Sequence, residues 1–370
     1  MKLVYFTHSL TSCWNHGNAH FLRGVLREVI ARGDQAVAFE PAGAWSLQKL
    51  LQDHGEEGLA AWRAAYPELR PVTYHNARDY EAAIADADLV IVHEWNDPAL
   101  VAALGRRRRL GARFTLLFHD THHRAVSDPE AIRAFDLDGY DGVLAFGEAL
   151  AEVYRGWGWG PRVWAWHEAA DTRLFRPPAV EPRRDGLVWI GNWGDEERSA
   201  ELDAFLFRPA QVAGLVLDVH GVRYPDAALA LLAARGARFR GWLPNARAPE
   251  AFARHLATVH VPRRFYVRLL PGIPTIRVFE ALACGIPLLS APWNDSEDLF
   301  RPGRDFLVAR DGDEMARHMR AIRADAALRA ALAASGLDAI RARHSCAHRV
   351  DELMAILAAL RAPVPAETAA

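Results

Sequence analysis

The sequence predicts an α/β protein in which two Rossmann-like parallel-sheet domains face each other across a cleft. The chain has 370 residues, about twice the length of an ordinary domain. Short apolar segments alternate with amphipathic helical segments in both halves of the chain, which is typical of βαβ units. A proline-rich stretch with Pro177, Pro178 and Pro182 separates the halves. We therefore expect two domains joined by a linker.

The amino-terminal half starts with a strand, a helix and a second strand. The first strand is predicted at 3–6, a loop with His16 and Gly17 follows it, and the helix 18–32 closes at Gly33. The loop lacks the G-x-G-x-x-G fingerprint, so dinucleotide binding is not predicted here. Further strands are predicted at 35–39, 89–92, 114–118, 142–145 and 162–165, and further helices at 44–52, 56–65, 77–87 and 98–104.

Ionisable residues follow six of these strands at their carboxyl ends. They are His8, Glu40, His93-Glu94, His119-Asp120, Gly147-Glu148 and His167-Glu168. Ligands of open parallel sheets bind outside the carboxyl ends of the strands, so this row predicts a polar crevice. A metal site on His119 and His123 would need a helix, but a strand ends at His119, and no metal is predicted.

The carboxyl-terminal half repeats the alternation. Strands are predicted at 187–190, 215–220, 257–261, 287–291 and 306–309, with another that starts at 239, and the last helices at 313–322, 326–344 and 347–360. Gly191 and Asn192 follow the first of these strands and lead into a helix that carries Arg198. Glycine lets the backbone approach a phosphate closely, and a guanidinium one turn later can donate to it. His220 ends the next strand.

The segment 271–290 predicts a short helix whose amino end faces a ligand. Thr275 is the expected N-cap, the helix runs for about ten residues from Ile276, and Gly285 ends it. The free N–H groups and the positive dipole end at its start suit a diphosphate. Arg264, just upstream, would neutralise the same charge.

Glu280 lies one turn inside this helix. If its side chain points back toward the helix start, it can accept hydrogen bonds from the two hydroxyls of a ribose beside the diphosphate. The alternative interpretation is a surface glutamate that pairs with Arg277.

The segment R-V-F-E-A-L-A-C-G-I-P-L-L-S at 277–290 resembles the nucleotide-sugar-binding helix of GT-B glycosyltransferases, especially family 4 and its spore-maturation type. The segment A-D-x-x-x-F-x-P at 170–177 resembles the end of the amino-terminal domain of these enzymes. The family pattern has a second glutamate eight residues before Glu280, where this chain has Gly272.

The resemblance implies roles for individual residues. Glu280 would bind the ribose of the donor, and His119 would contact the donor sugar. The loop with His16 and Gly17 would approach the donor phosphates and the acceptor. A further loop, with Trp242 and Leu243, would bracket the nucleobase.

The expected domains follow from the same resemblance. Residues 1–176 would bind the acceptor, 177–185 would link the domains, 186–345 would bind the nucleotide-sugar, and 346–362 would form a helix that crosses back to the first domain. Residues 363–370 are expected to be disordered.

The predicted function is transfer of a hexose from a nucleotide-diphosphate-sugar donor, for example a UDP-sugar, to an acceptor hydroxyl, without a metal or other cofactor. The sequence leaves the base and the sugar of the donor open. The predicted donor-binding residues are Gly17, Gly191, Asn192, Arg198, His220, Trp242, Leu243, Arg264, Gly272, Thr275, Ile276 and Glu280. If the reaction inverts the anomeric centre, the candidate bases are His16, Glu94, His119 and Asp120. The acceptor could be a glycan, a small molecule or a protein.

Two other functions fit the same residues. A nucleotide-sugar 2-epimerase on this fold would turn over UDP-N-acetylhexosamine without an acceptor. A non-catalytic sugar-nucleotide-binding protein would keep the helix and lack turnover, and Gly272 favours it.

Composition limits the other classes. The formal net charge of −2 gives no reason to expect nucleic-acid binding. Three widely spaced cysteines argue against a disulfide framework or a structural zinc site. No leader or membrane-spanning run is recognisable, so a cytoplasmic protein is expected. Twelve tryptophans are compatible with a carbohydrate substrate.

Overall fold

The computed structural model describes residues 1–194 and 196–362. Asp195 of the predicted phosphate-binding loop and the predicted disordered tail 363–370 therefore lie outside the described residues. Within the described ranges, thirteen strands form two sheets, and every strand pairs in parallel with its neighbours. The predicted architecture is confirmed. We call the part of the chain built on the first sheet the first lobe, and the part built on the second sheet the second lobe.

The two sheets have the same winding. The first contains β1 Lys2–Phe6, β2 Gln35–Pro41, β3 Val72–Tyr74, β4 Leu89–His93, β5 Thr115–Asp120, β6 Gly142–Ala145 and β7 Val163–Ala165. The second contains β8 Leu187–Ile190, β9 Leu217–His220, β10 Arg238–Gly241, β11 Ala257–His260, β12 Leu288–Ser290 and β13 Leu307–Val308. Their orders are β3-β2-β1-β4-β5-β6-β7 and β10-β9-β8-β11-β12-β13. The strand order reverses between β1 and β4 and between β8 and β11, where ligands of such sheets bind.

Helices cover the faces of both sheets. In the first lobe they are α1 Asn18–Ala31, α2 Trp45–Ala65, α3 Arg78–Ala85, α4 Pro98–Arg109, α5 Arg124–Ser127, α6 Pro129–Arg133 and α7 Glu148–Tyr154. They continue with α8 Ser199–Leu202, α9 Arg208–Ala213, α10 Asp226–Ala234, α11 Ala248–Arg254, α12 Arg264–Arg268, α13 Ile276–Ala283, α14 Gly312–Ala324, α15 Ala326–Arg343 and α16 Cys346–Arg361. Gly55 breaks α2 with a left-handed φ of 56°, in the gap between the two predicted helical segments.

The strands are apolar because helices cover them on both faces. Successive side chains of β5 point to opposite faces. Leu117 packs with the α1 and α16 layer, whereas Phe118 packs with the layer on the other face. This alternation decides the positions of the two polar residues that end β5.

The structure differs from the prediction at β3 and α4 of the first lobe, among other places. The strand β3 escaped prediction because it has only three residues at the sheet edge and two of them are exposed. The helix α4 continues to Arg109 instead of ending at Leu104. Its basic last turn suits the negative end of the helix dipole, and Arg108 and Arg109 pair with Asp141 and Asp138.

The last helix, α16, contacts the first lobe. Val350, Leu353 and Leu357 are buried in the apolar cluster beneath α1 and β1. The indole of Trp166, just after β7, donates a hydrogen bond of 2.8 Å to the carbonyl oxygen of Arg349. The chain thus leaves the first lobe, builds the second and returns.

Among the described residues, no helix combines the length and the hydropathy that a membrane span requires.

Candidate active site

A cleft of about 810 Å³ lies between the lobes. Loops that follow β1, β4, β8 and β11 contribute to its walls, and these are the strands on either side of the two points where the strand order reverses. The start of α13 forms part of the wall on the side of the second lobe. The cleft is therefore where the parallel-sheet rule places a ligand in both lobes at once.

The amino end of α13 opens into this cleft. Thr275, Ile276 and Arg277 line the wall, and the backbone of Thr275 is extended. The hydroxyl of Thr275 makes no capping hydrogen bond, so the predicted side-chain cap is wrong. The helix ends at Ala283, with Gly285 at a left-handed φ of 64° just beyond it. The positive dipole end of the helix faces the cleft as predicted from the sequence.

Glu168, which follows β7, lies at the same helix start. Its side chain is buried in the cleft wall against the Ile276 N–H. Burial and, to a smaller extent, the charge of Glu280 raise the pKa of Glu168 to about 8, although the Ile276 N–H and Arg277 oppose the rise. The sequence placed Glu168 in the polar row but not among the candidate site residues.

Glu280 is enclosed behind the cleft wall, with an exposed fraction of 1%. Its carboxylate accepts a hydrogen bond of 2.8 Å from the amide of Asn245, lies 3.2 Å from His20 Nδ1 and pairs with Arg277. Burial alone would raise the pKa of Glu280, but Arg277 and His20 outweigh it and hold the pKa below its ordinary value. The alternative surface interpretation is wrong because the carboxylate is buried, although the pair with Arg277 is present.

Three histidine–glutamate pairs join the lobes among the residues that the structure describes. Each takes its histidine from the first lobe and its glutamate from the second. They are His20–Glu280 at 3.2 Å, His123–Glu197 at 3.3 Å and His167–Glu297 at 2.8 Å. The amide of Asn192 also donates to Asn15 Oδ1 across the cleft. The polar groups of the two lobes thus satisfy one another around the site.

Contacts within the second lobe hold the loop after β8 in place. Gly191, Asn192 and Arg198 line the cleft. The guanidinium of Arg198 is buried against the ring of Trp189 and donates to the carbonyl oxygens of Asn192 at 2.6 Å and Val261 at 3.1 Å. Burial lowers the pKa of Arg198 to about 10. The side chain ties the loops after β8 and β11 together.

The prediction from sequence chose, of two adjacent arginines, the one that lies outside the cleft. Arg264 begins α12 and pairs with Glu201 at 2.7 Å, away from the cleft. Arg263 lines the cleft and pairs with Glu197 at 2.9 Å. The start of α12 at Arg264 turns that side chain away, so Arg263 takes its predicted position.

Of the remaining predicted donor residues in the second lobe, three line the cleft and one does not. His220, Trp242 and Leu243 line the cleft, and Trp242 stacks on His54 of α2 with ring centroids 4.4 Å apart. Gly272 does not line it. Its φ is 88°, in the left-handed region, and a Cβ added there would lie 2.6 Å from Ser296 Oγ, so the glutamate of the family pattern would be strained at this position.

His16 and Gly17 line the cleft from the first lobe. The imidazole of His16 lies between those of His8 and His93, with centroids 5.2 and 6.4 Å away, and its Nε2 has no partner among the described residues. Burial, reinforced by nearby cations including Arg23, holds the pKa of His16 well below its ordinary value. The ring is therefore a neutral base.

The other three candidate bases do not line the cleft. His119 lies on the core face of β5, where its Nδ1 contacts the hydroxyl of Tyr5, and Asp120 lies on the opposite face and accepts 2.8 Å from the hydroxyl of Tyr154. Glu94 is buried against Arg124. Burial raises the pKa values of Glu94 and Asp120.

For His119 and Asp120 the error has one cause. β5 continues through Asp120, two residues beyond its predicted end. The residues that emerge into the cleft are consequently Thr121 and His122, and beyond β4 the cleft-lining residue is Trp95. A one-residue step along a strand changes the face to which a side chain points.

Among residues 1–194 and 196–362, no group of three or more His, Cys, Asp or Glu side chains is placed to hold a metal ion.

Comparison with known proteins agrees with this geometry. Residues 198–355 match the family model described as glycosyl transferase-like. No curated protein sequence is significantly similar to the chain.

Several solved structures are similar to the whole chain. Anabaena HepE in complex with UDP and glucose has 14% identity and a TM-score of 0.65, covering 97% of this chain and 100% of that one. Sucrose-phosphate synthase from Thermosynechococcus elongatus has 14% identity and a TM-score of 0.64, with coverages of 97% and 99%. An α-glucosyltransferase in complex with UDP and a 13-mer DNA has 12% identity and a TM-score of 0.66, also with coverages of 97% and 99%.

The fold is GT-B, and the second lobe carries a glycosyl transferase-like domain. The protein is a glycosyltransferase of this fold class, as the sequence predicted. The similarity to the spore-maturation type stays a prediction.

Proposed function

We propose that the protein transfers a sugar from a UDP-sugar to an acceptor hydroxyl, with the donor in the second lobe and the acceptor in the first. The observation that carries this proposal is the amino end of α13, which opens into the interlobe cleft beside Arg263. A helix start and a guanidinium together suit a diphosphate. The similar HepE structures contain UDP or UDP-glucose, which supports the choice of uracil as the nucleobase.

The donor would replace protein partners that already occupy the site. Its diphosphate would accept from Arg263, from the N–H group of Thr275 and, in place of the Glu168 side chain, from the N–H group of Ile276. Its ribose hydroxyls would take the place of His20 and Asn245 on the carboxylate of Glu280. Because these partners come from both lobes, donor entry requires the lobes to part and close again.

The chemical step would break the bond between the anomeric carbon and the diphosphate oxygen and form one to the acceptor oxygen. The helix dipole and Arg263 would stabilise the leaving diphosphate, so that no metal is required. If the reaction inverts the anomeric centre, the neutral imidazole of His16 would take the acceptor proton.

A thermal-shift screen over UDP-, GDP- and dTDP-sugars tests donor binding, since a ligand that binds the native state raises the melting temperature. We expect UDP-sugars to give the largest shift and EDTA to leave it unchanged. Glu280→Gln should reduce the shift while the far-UV circular dichroism stays the same. An equal shift in this variant would remove Glu280 from the site.

Product analysis then separates the three functions. With a UDP-sugar and a mixture of acceptors, transfer or slow hydrolysis supports the proposal. Epimerised UDP-sugar without an acceptor identifies the 2-epimerase. Saturable binding with no turnover identifies a non-catalytic binder, which the lack of a glutamate at Gly272 would explain.

A further inference from the structure

Three tryptophans form one wall of the cleft on the side of the first lobe. Trp14 lies in the loop after β1, Trp45 begins α2 after β2, and Trp95 follows β4. All three line the cleft, and Trp45 has an exposed fraction of 39%. They lie in the lobe opposite the α13 helix, so the proposed donor site does not use them.

Protein side chains hold each indole in place. His8 stacks on Trp45 with centroids 4.8 Å apart and rings inclined by 31°. The guanidinium of Arg124 lies 4.0 Å from the ring centroid of Trp95. Trp14 meets Trp45 edge-on, with centroids 6.4 Å apart and an angle of 78°. The wall therefore offers rigid aromatic surfaces at fixed angles, and rigid surfaces lose little conformational entropy on binding.

Polar groups line the same cleft as the indoles. Asn15, His16, Lys49 and Thr121 are among them. The indole N–H of Trp14 is buried and has no partner among the described residues. A ligand for this cleft thus needs both apolar faces and hydrogen-bonding edges.

We propose that the acceptor is a saccharide whose pyranose rings stack on Trp45 and Trp95. This inference rests on the proposed function and names its acceptor class. A pyranose has C–H faces and hydroxyl edges, which match indole faces and polar groups in one cleft. Its hydroxyl groups can donate to His16, the proposed proton acceptor if the reaction inverts.

Two other acceptor classes fit the wall less well. A flat aromatic aglycone would need two parallel apolar walls, whereas Trp14 and Trp45 are nearly perpendicular. A DNA strand, as in one of the similar structures, would need a basic surface. The exposed residues of α2 beyond Trp45 include Asp53, Glu56 and Glu57 instead.

The test uses the full chain saturated with UDP and saturation-transfer NMR. The probes are methyl glycosides of glucose, galactose, mannose and N-acetylglucosamine, together with quercetin and a short DNA duplex. We expect at least one glycoside to saturate, and Trp45→Ala to raise its half-saturating concentration about tenfold, as expected for an interface anchor. Trp159→Ala is the matched control, because this tryptophan stacks on Arg162 outside the cleft.

The UDP-induced thermal shift keeps the two proposals apart. It should be the same in the native protein and in Trp45→Ala. If Trp45→Ala loses the shift because its fold has changed, Trp45→Leu, which keeps apolar bulk without an aromatic face, replaces it. Three results overturn the saccharide inference alone, provided that UDP still binds. They are no binding of any glycoside, glycoside binding that neither Trp45 variant weakens, and binding of quercetin or DNA in place of a glycoside. A native protein that fails to bind UDP overturns the proposed function, and the inference falls with it.

Discussion

Glu168→Gln should stabilise the protein at alkaline pH and have no effect on stability at acidic pH. Burial, with the nearby charge of Glu280, raises the pKa of Glu168 to about 8 in the folded protein, whereas an unfolded chain titrates this group near pH ~4.3. Between these values the folded state holds a proton that the unfolded state has lost. The free energy of unfolding therefore falls as the pH rises through this window and is constant above it.

The magnitude follows from the two pKa values. One pKa unit corresponds to about 1.4 kcal/mol, so ionising Glu168 in place costs the folded state up to about 5 kcal/mol. Relaxation around the buried carboxylate makes this an upper bound. Glutamine has the shape of the protonated acid, and its Oε1 can still accept from the Ile276 N–H, but it does not titrate. The gain in the variant should thus be several kcal/mol at about pH 9 and near zero at about pH 4.

Urea unfolding of both proteins across about pH 4 to 9 measures this difference. Glu94 and Asp120 also have raised pKa values, so the native protein alone cannot isolate Glu168. The difference between the two curves does, because both proteins retain the other carboxyls. Glu56→Gln, at an exposed position of α2, is the matched control. Parallel curves for native protein and Glu168→Gln would refute the reasoning.

Three further outcomes are expected. Arg263→Ala should raise the Kd for UDP about tenfold to a hundredfold, because the variant loses a charge-assisted hydrogen bond. Calorimetry measures the Kd, and an unchanged value would remove this arginine from the site. Cys13 should react with iodoacetamide at neutral pH, and UDP should protect it. Burial raises the pKa of its thiol, but Arg23 and neighbouring groups lower that pKa to about 6. Peptide mass spectrometry measures the labelling, and equal labelling of the other cysteines would contradict the prediction. Gly221→Ala should lower the free energy of unfolding by about 1–3 kcal/mol, because a Cβ would lie 2.2 Å from the carbonyl oxygen of Gly191; an unchanged urea midpoint would contradict the close approach.

The strands near the core could be predicted from sequence because their signal is local. The segments that form β6 and β8 are short and apolar, and their predicted bounds match the structure. The start of α13 at Ile276 and the left-handed Gly285 beyond its end were also evident, because proline, threonine and glycine restrict the backbone directly.

The side-chain directions could not be predicted because tertiary packing sets them. Arg263 and Arg264 are adjacent and chemically identical, and only the start of α12 decides which of them faces the cleft. His119 was misplaced because β5 extends two residues further than its apolar run. The partner of Glu280 across the lobes, His20, is far away in the sequence, and no local pattern pairs them.

The histidine–glutamate contacts between the lobes have a consequence for selectivity. A nucleotide-sugar can release Glu280 from His20 only if it offers its own hydroxyl donors to that carboxylate. Inorganic phosphate brings negative charge in place of a neutral pair of ribose hydroxyls, so a Glu280 carboxylate that lost His20 to it would be left without a suitable donor, which is costly. If the donor binds as we propose, the incoming molecule must replace every bond that it displaces. Ligands that lack the ribose would then bind weakly although no residue repels them.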